Sequence, residues 1–277
     1  MKGATSCSKD LLCGVPKGSV LGPILYVLYT SLLGDIVRNH GLSCHFCTDD
    51  TQLYCSFKLH DQVDAVQVIE SCLNDNDEWM LMNMLQLNRD KTELLVTGPK
   101  HKVNPPIKGI HVAGDCIEAS SSARNIGVIF DSHVNLEKHV MNTCKMTFYH
   151  LRNIARIINC LSQDDAETLV HVFISSMLDF CNALLYGLPK SVIVQNYAAR
   201  LVTRTRSSEH ISPVLRRLHW LPVRQRITYK IVLLTFKTLS GVAPRYIADL
   251  LQPYTPPARL LRSSKNLLVR PKSNLEF

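Results

Sequence analysis

The chain has 277 residues, enough for one or two domains with a buried core, and its 46% hydrophobic content excludes wholesale disorder. Ten cysteines with no signal peptide or regular framework point to reduced thiols in a nuclear or cytoplasmic protein that is not secreted. The net charge of +8 is uneven: residues 200–277 hold 15 Lys/Arg against 3 Asp/Glu, whereas residues 1–199 hold 16 against 20. Such a basic block suits a polyphosphate partner, the alternative being a cationic face that keeps a small helical unit soluble.

Residues 1–13 show no clear period. Gly14-Val15-Pro16-Lys17-Gly18-Ser19 follows, where Gly14 and Gly18 bracket a tight turn and Ser19 is placed to cap a helix running to about Leu33. The apolar window Val20 to Leu33 is too short to span a bilayer and contains Gly22 and Pro23, so a buried helix is predicted and no membrane anchor. The small residues before it either let a base or nucleotide approach the backbone closely or simply make a turn.

Residues 44–55 place Asp49 and Asp50 between two short runs of apolar and β-forming residues, which predicts a β-hairpin with the carboxylates at its tip. Adjacent carboxylates repel each other, so they are tolerable in a solvated turn and favourable where a divalent cation sits against them. Cys44 and Cys47 form a Cys-x-x-Cys, but no second pair follows at zinc spacing, and a strand points the two side chains to opposite faces.

From Asp61 to about Gln86, the residues Val66, Ile69, Leu73, Trp79, Met80 and Met84 recur at helical spacing, and Trp79 and the methionines are expected in a core. Leu94, Leu95 and Val96 read as a buried strand ended by Gly98-Pro99, residues 100–123 as turns and a small hairpin, and Arg124 to Phe130 as a further strand.

Helices are predicted after Asp131. Leu136, Val140, Cys144, Phe148 and Leu151 form one stripe; Ala166 to Cys181 forms a second, opened by a Ser162/Asp165 capping box and closed by Gly187 and Pro189. A third helix, about Ser191 to Arg206, would put Arg200 and Arg204 one turn apart, both reaching a backbone phosphate or both lying on a solvated face. Ser212-Pro213 starts a short helix, Leu221-Pro222 interrupts, and Arg224 to Leu239 resumes with Ile227, Ile231, Leu234 and Thr238 on one side. Beyond Gln252 the composition is that of a loosely ordered basic tail, and the eleven histidines propose no catalytic set.

Three stretches in order, Gly14 to Pro23, Cys44 to Cys55 and Leu87-Asn88-Arg89-Asp90-Lys91-Thr92-Glu93-Leu94-Leu95-Val96-Thr97-Gly98, resemble the reverse transcriptase of non-LTR (LINE-like) retrotransposons. Asn125-Ile126-Gly127-Val128-Ile129-Phe130-Asp131 and Leu218-His219-Trp220-Leu221-Pro222-Val223 extend the resemblance over nearly the whole chain. The resemblance implies an α+β fold: a partial polymerase palm of antiparallel strands and packed helices over residues 1–131, an all-α thumb-like region over 132–252 and a basic tail over 253–277.

It further implies RNA-directed DNA polymerase chemistry by a two-metal mechanism, with an RNA template, a DNA primer and deoxynucleoside triphosphates as partners and no membrane. On it, Asp49 and Asp50 bind Mg²⁺, Lys91 protonates the leaving pyrophosphate, and Pro16, Lys17, Gly18 and Ser19 line the nucleotide or template site. Arg124 to Phe130 resembles the primer grip, and Arg200, Arg204 and Arg206 would contact nucleic-acid backbone.

Several positions depart from the family pattern. Lys17 stands where a glutamine is usual, Cys47 and Thr48 replace an aromatic and a small residue, and the segment Lys190 to Gln195 is shorter than usual. The family's further catalytic carboxylate lies upstream of the Gly-Val-Pro stretch, where thirteen residues precede Gly14 and Asp10 is the acidic candidate. The expectation is therefore a C-terminal piece of a polymerase, with weak or absent Mg²⁺ binding and little activity by itself. Two other expectations stand beside it: a noncatalytic nucleic-acid-binding module, and a nonfunctional remnant whose exposed strand edge favours aggregation.

Overall fold

The computed structural model describes residues 18–48, 50–98, 107–112, 114–187, 192–254 and 267–269, with backbone alone at 192 and 193. The fold is α+β, and the chain divides into two compact units, one of residues 1–124 with 131–134 and the other of 125–130 with 135–277. Asp10, Pro16, Lys17, Asp49, Pro99, Pro105, Pro106, Pro189 and Lys190 lie outside the described residues, as does most of the predicted tail.

In the first unit, α1 (Gly22–Thr30) and α2 (Leu33–Asn39) lead into the antiparallel pair β1 (Ser43–Cys47) and β2 (Asp50–Tyr54). The long helix α3 (Gln62–Met82) follows. A three-stranded sheet of order β3-β5-β4 then joins β3 (Leu94–Leu95), β4 (Gly109–Val112) and β5 (Asp115–Ser120). A small core of Val37, Leu42 and Cys72, flanked by Cys44, Leu53, Cys55 and Ile69, holds α2, α3 and the β1/β2 hairpin together. Polar ties reinforce it: His40 lies 2.7 Å from Asp75, and the Tyr29 hydroxyl donates to the Asn83 carbonyl at 2.7 Å beside the Trp79 ring.

Four sequence expectations in this unit are corrected. Ser19 does not cap α1; the helix begins at Gly22 after Leu21, which offers no side-chain cap. Nor is that helix buried, for Ile24, Val27 and Leu28 are 58%, 60% and 65% exposed, because apolar composition buries a helix only where another element covers it. Met84 is exposed beyond the end of α3, and Trp79 is only half-buried. The third strand, Leu94–Leu95, is two residues long, half-buried, and pairs with β5 in parallel rather than antiparallel fashion.

The segment Arg124 to Phe130 is two strands rather than one: β6 (Ser122–Asn125) pairs with β7 (Val128–Asp131) across Ile126-Gly127, both with positive φ. A Cβ at Gly127, where φ is +80°, would sit 3.1 Å from the Phe180 ring.

The second unit is otherwise helical: α4 (Glu137–Ile157), α5 (Gln163–Val170), a π turn over His171–Ser175, α6 (Ser176–Asp179), α7 (Val192–Thr203), α8 (Ile211–Arg217), α9 (Val223–Leu239) and α10 (Arg245–Ala248). Its apolar stripes meet in one core that includes Val140, Leu151, Val170, Ile174, Ala199, Val202, Leu215 and Val223. The predicted cap of α5 is present, with the Ser162 hydroxyl accepting from the Asp165 amide at 3.1 Å. The short helix α8 starts one residue before Ser212 and is capped by the His210 ring rather than by Ser212. Of the predicted tail, Pro253 and Leu268 form an antiparallel bridge.

The Leu-His-Trp-Leu-Pro-Val stretch is a packed junction. Leu218, Trp220 and Val223 are buried, and Trp220 Nε1 donates to Glu167 Oε1 at 2.8 Å. Buried Gln195 donates to the Leu221 carbonyl at 3.0 Å and accepts from the Val223 amide at 2.9 Å, so both backbone groups beside Pro222 are paired.

Two substitutions test this packing by urea denaturation. Gly127→Ala is expected to cost about 2 kcal/mol from positive φ plus the Phe180 contact, and Gly241→Ala, at φ +71° with open space around it, about 1 kcal/mol; equal losses contradict the contact. Trp220→Phe, which removes the hydrogen bond to Glu167, is expected to cost about 2 kcal/mol, and Glu167→Gln, which keeps an acceptor, less than about 1 kcal/mol. The reverse order contradicts the pairing.

Candidate functional site

The β1/β2 register decides what the hairpin presents. Cys44 faces Leu53 and Phe46 faces Thr51 on one side, while Ser43/Tyr54, His45/Gln52 and Cys47/Asp50 form the other. Cys44 and Leu53 pack against the small core, and the Phe46 ring lies over Gly34, where a Cβ would be 3.3 Å from Cε2. The opposite side is open: His45, Cys47, Asp50, Gln52 and Tyr54 are all exposed, and the His45 and Tyr54 rings stack at 5.5 Å.

Cys47 pairs with Asp50, and Thr48 follows β1 as a turn residue. Thr48 takes φ 55°, the left-handed geometry that two-residue bends need and that a β-branched side chain rarely adopts. Asp50 is the first residue of β2 and presents its carboxylate to solvent. An exposed carboxylate is an oxygen donor of the type a hard cation accepts, but Mg²⁺ sites draw on more than one such group. Among the described residues no three His, Cys, Asp or Glu side chains gather to hold a metal ion. Cys44 and Cys47 do point to opposite faces, and burial pushes the Cys55 and Cys72 thiols up, away from the thiolate form.

Lys91 lies at the end of a short 3-10 turn, Arg89–Lys91, with its side chain exposed. The neighbouring Arg89, which the sequence did not single out, anchors this turn: it donates to Asp115 at 2.6 Å and lies 3.6 Å from the buried Asp77 of α3. An arginine two residues after Leu87 carries no signal of two partners so far apart in the chain. Of the predicted nucleotide-site residues, Gly18, at φ 87°, and Ser19 are described, both ahead of α1.

The premise for the arginine trio changes. The third long helix of this unit, α7, ends at Thr203, and Arg204 follows it at φ 54°, so Arg200 and Arg204 do not share a helical face. Each serves the fold: Arg200 donates to the Glu209 carbonyl at 3.2 Å and Arg204 to the Ile158 carbonyl at 3.1 Å. Arg206 is exposed, and its backbone amide is bound by Glu209 at 3.3 Å.

No described helix is long and apolar enough to cross a membrane. No family model matches the chain and no solved structure matches it. Among curated proteins, a probable RNA-directed DNA polymerase from transposon X-element of Drosophila melanogaster is 29% identical over 140 residues, 50% of this chain and 15% of that protein. A probable RNA-directed DNA polymerase from transposon BS of the same fly is 22% identical over 217 residues, 73% of this chain and 24% of that protein. The chain thus spans less than a quarter of the length of either relative. By its ordered motifs and by these two matches, it resembles the reverse transcriptases of non-LTR transposons.

Proposed function

We propose that the chain is a portion of a non-LTR reverse transcriptase, its first unit a partial polymerase palm and its helical unit a thumb. The observation that carries this reading is the hairpin, whose register pairs Cys47 with Asp50 and turns Asp50 to solvent at the start of β2. On this reading the exposed face of the hairpin is turned toward nucleic acid, in a nuclear or cytoplasmic setting, and the partners are an RNA template, a DNA primer and deoxynucleoside triphosphates.

Asp49 and Asp50 would hold Mg²⁺, which when bound neutralises charge developing on the phosphates. Lys91, whose side chain is exposed, would hold the proton given to the departing pyrophosphate. Pro16, Lys17, Gly18 and Ser19 would line the nucleotide site, where the absence of a Cβ at Gly18 leaves room for close approach. Two adjacent carboxylates by themselves hold magnesium weakly, so little incorporation is expected from this chain alone.

A second reading, a nucleic-acid-binding module without catalysis, has the charge of residues 200–277 behind it, 15 Lys/Arg against 3 Asp/Glu.

The metal assignment is tested with Mn²⁺ in place of Mg²⁺ and amide NMR signals as readout. Signals of Cys47, Thr48, Asp50 and Thr51 should broaden first, and Asp49→Asn/Asp50→Asn should abolish that selectivity; broadening centred elsewhere contradicts the site. In primer extension on poly(rA) with oligo(dT) and Mg²⁺, any incorporation should fall about 100-fold or more in Asp49→Asn, as expected for loss of a metal-binding carboxylate. Incorporation indifferent to that change contradicts the polymerase reading, and hybrid binding without incorporation supports the module.

A further inference from the structure

The helix α9 has two apolar faces, one covered and one open. Val223 and Ile227 lie in the core of the helical unit, and Thr238 is buried on the same side. On the opposite side Tyr229, Val232, Phe236 and Leu239 are 61%, 59%, 66% and 52% exposed. At 100° per residue these four fall within a sector of roughly 80°. A helix packed against one neighbour has one apolar stripe and a polar back, so an apolar back calls for a second neighbour.

The spacing indicates what kind of neighbour. From Tyr229 the steps along the stripe are three, four and three residues, and Gln225 lies four residues before it. That is the narrow a/d seam by which one helix packs along another. A bilayer surface imposes no such seam, because it accepts apolar side chains across a wide face. Tyr229 and Phe236 stand at equivalent positions of successive heptads, and large rings of this kind anchor helices in interfaces.

Charge selects the partner. From His210 to Ala248 there are seven Lys/Arg and no Asp or Glu. Lys230 and Lys237, both exposed and seven residues apart, flank the stripe on the Tyr229 side, and exposed Arg224 lies toward the other. Arg226 is already held by Asp179 at 2.5 Å. A second copy of α9 would bring cations against cations in either direction of pairing, with no carboxylate between them. Residues 253–277, with five Lys/Arg against one Glu, are no better matched.

We propose that the outer face of α9 docks an acidic amphipathic α-helix of a partner protein. The partner's apolar residues seat between Tyr229, Val232, Phe236 and Leu239, and its carboxylates face Lys230 and Lys237. This role is separate from the hairpin and from nucleic-acid binding, and it does not rest on the polymerase reading.

The probe is a fluorescein-labelled synthetic peptide of about three heptads with Leu at a and d and Glu at e and g; a second peptide has Lys in place of each Glu. Like charges at e and g keep either peptide from pairing with itself. Binding to the full chain is read by fluorescence anisotropy at about 0.1 M NaCl, where charges within about 10 Å of each other still interact. The Glu peptide should bind and the Lys peptide should not. Val232→Ser/Phe236→Ser should weaken the Glu peptide about 30-fold or more, the loss expected when central apolar anchors are removed. Lys230→Glu/Lys237→Glu should reverse the preference, so that the Lys peptide binds the more tightly. Circular dichroism melting checks the fold of each variant, and because all four positions are exposed the melts should match that of the wild type.

Absence of Glu-peptide binding by the wild-type chain overturns the proposal, as does binding indifferent to Val232→Ser/Phe236→Ser or equal binding of the two peptides. Self-association in sedimentation velocity that the Ser variant abolishes, without peptide binding, assigns the face to a second copy and overturns the proposal. Vesicles of phosphatidylserine and phosphatidylcholine that bind the wild-type chain but not the Ser variant, again without peptide binding, assign it to a membrane surface and overturn it equally.

Discussion

Packing of Cys44 and Leu53 against Val37, Leu42, Ile69 and Cys72 is the constraint on which the first unit depends. A strand has a side-chain period of two, so a one-residue slip would turn Cys44 or Leu53 to water and bring a polar neighbour into the core. The hairpin thereby has one permitted register, and that register puts Asp50 on the open face with His45, Gln52 and Tyr54. Exposure of Asp50 is a consequence of burying Leu53. The core is small, so it relies on ties at its margins: His40 with Asp75, Tyr29 with the end of α3, and Arg89 with Asp77 and Asp115.

The second unit solves a different problem, that of joining short helices whose ends leave backbone groups unpaired. Polar side chains do this in place of longer turns. Gln195 pairs the groups on either side of Pro222, Glu167 receives the Trp220 indole, and Arg204 covers the Ile158 carbonyl. Residues that look from composition like a cationic binding set are thus partly spent on structure, while α4 keeps its cations on the outside because its other face is fully committed to the core.

Much of this was legible because periodicity is local. The long helices α3, α4 and α9 follow from their apolar spacing, the cap at Ser162 from the residue types, and the hairpin from two β-forming runs around a polar pair. What was not legible depends on partners distant in the chain. An apolar stretch such as Val20 to Leu33 reads as buried whether or not another element covers it, and α1 is exposed on most sides. The parallel pairing of β3 with β5 joins residues 25 apart and has no sequence signature. Gly127 was the available sign that Arg124 to Phe130 turns midway, since glycine supplies the positive φ that the bend requires. The end of α7 was harder, because Arg204 takes a left-handed conformation where no glycine marks it. At the hairpin, the residue types foretold the bend, while the face on which Asp50 lies required the register.

The register itself is the quantity to measure. In a NOESY spectrum of the labelled chain, cross-strand backbone contacts should pair Cys44 with Leu53, Phe46 with Thr51 and Cys47 with Asp50. Contacts pairing Cys44 with Gln52 or with Tyr54 would mean a shifted hairpin, with Asp50 turned away from the open face, and would remove the physical basis for a nucleotidyl-transfer site at this bend.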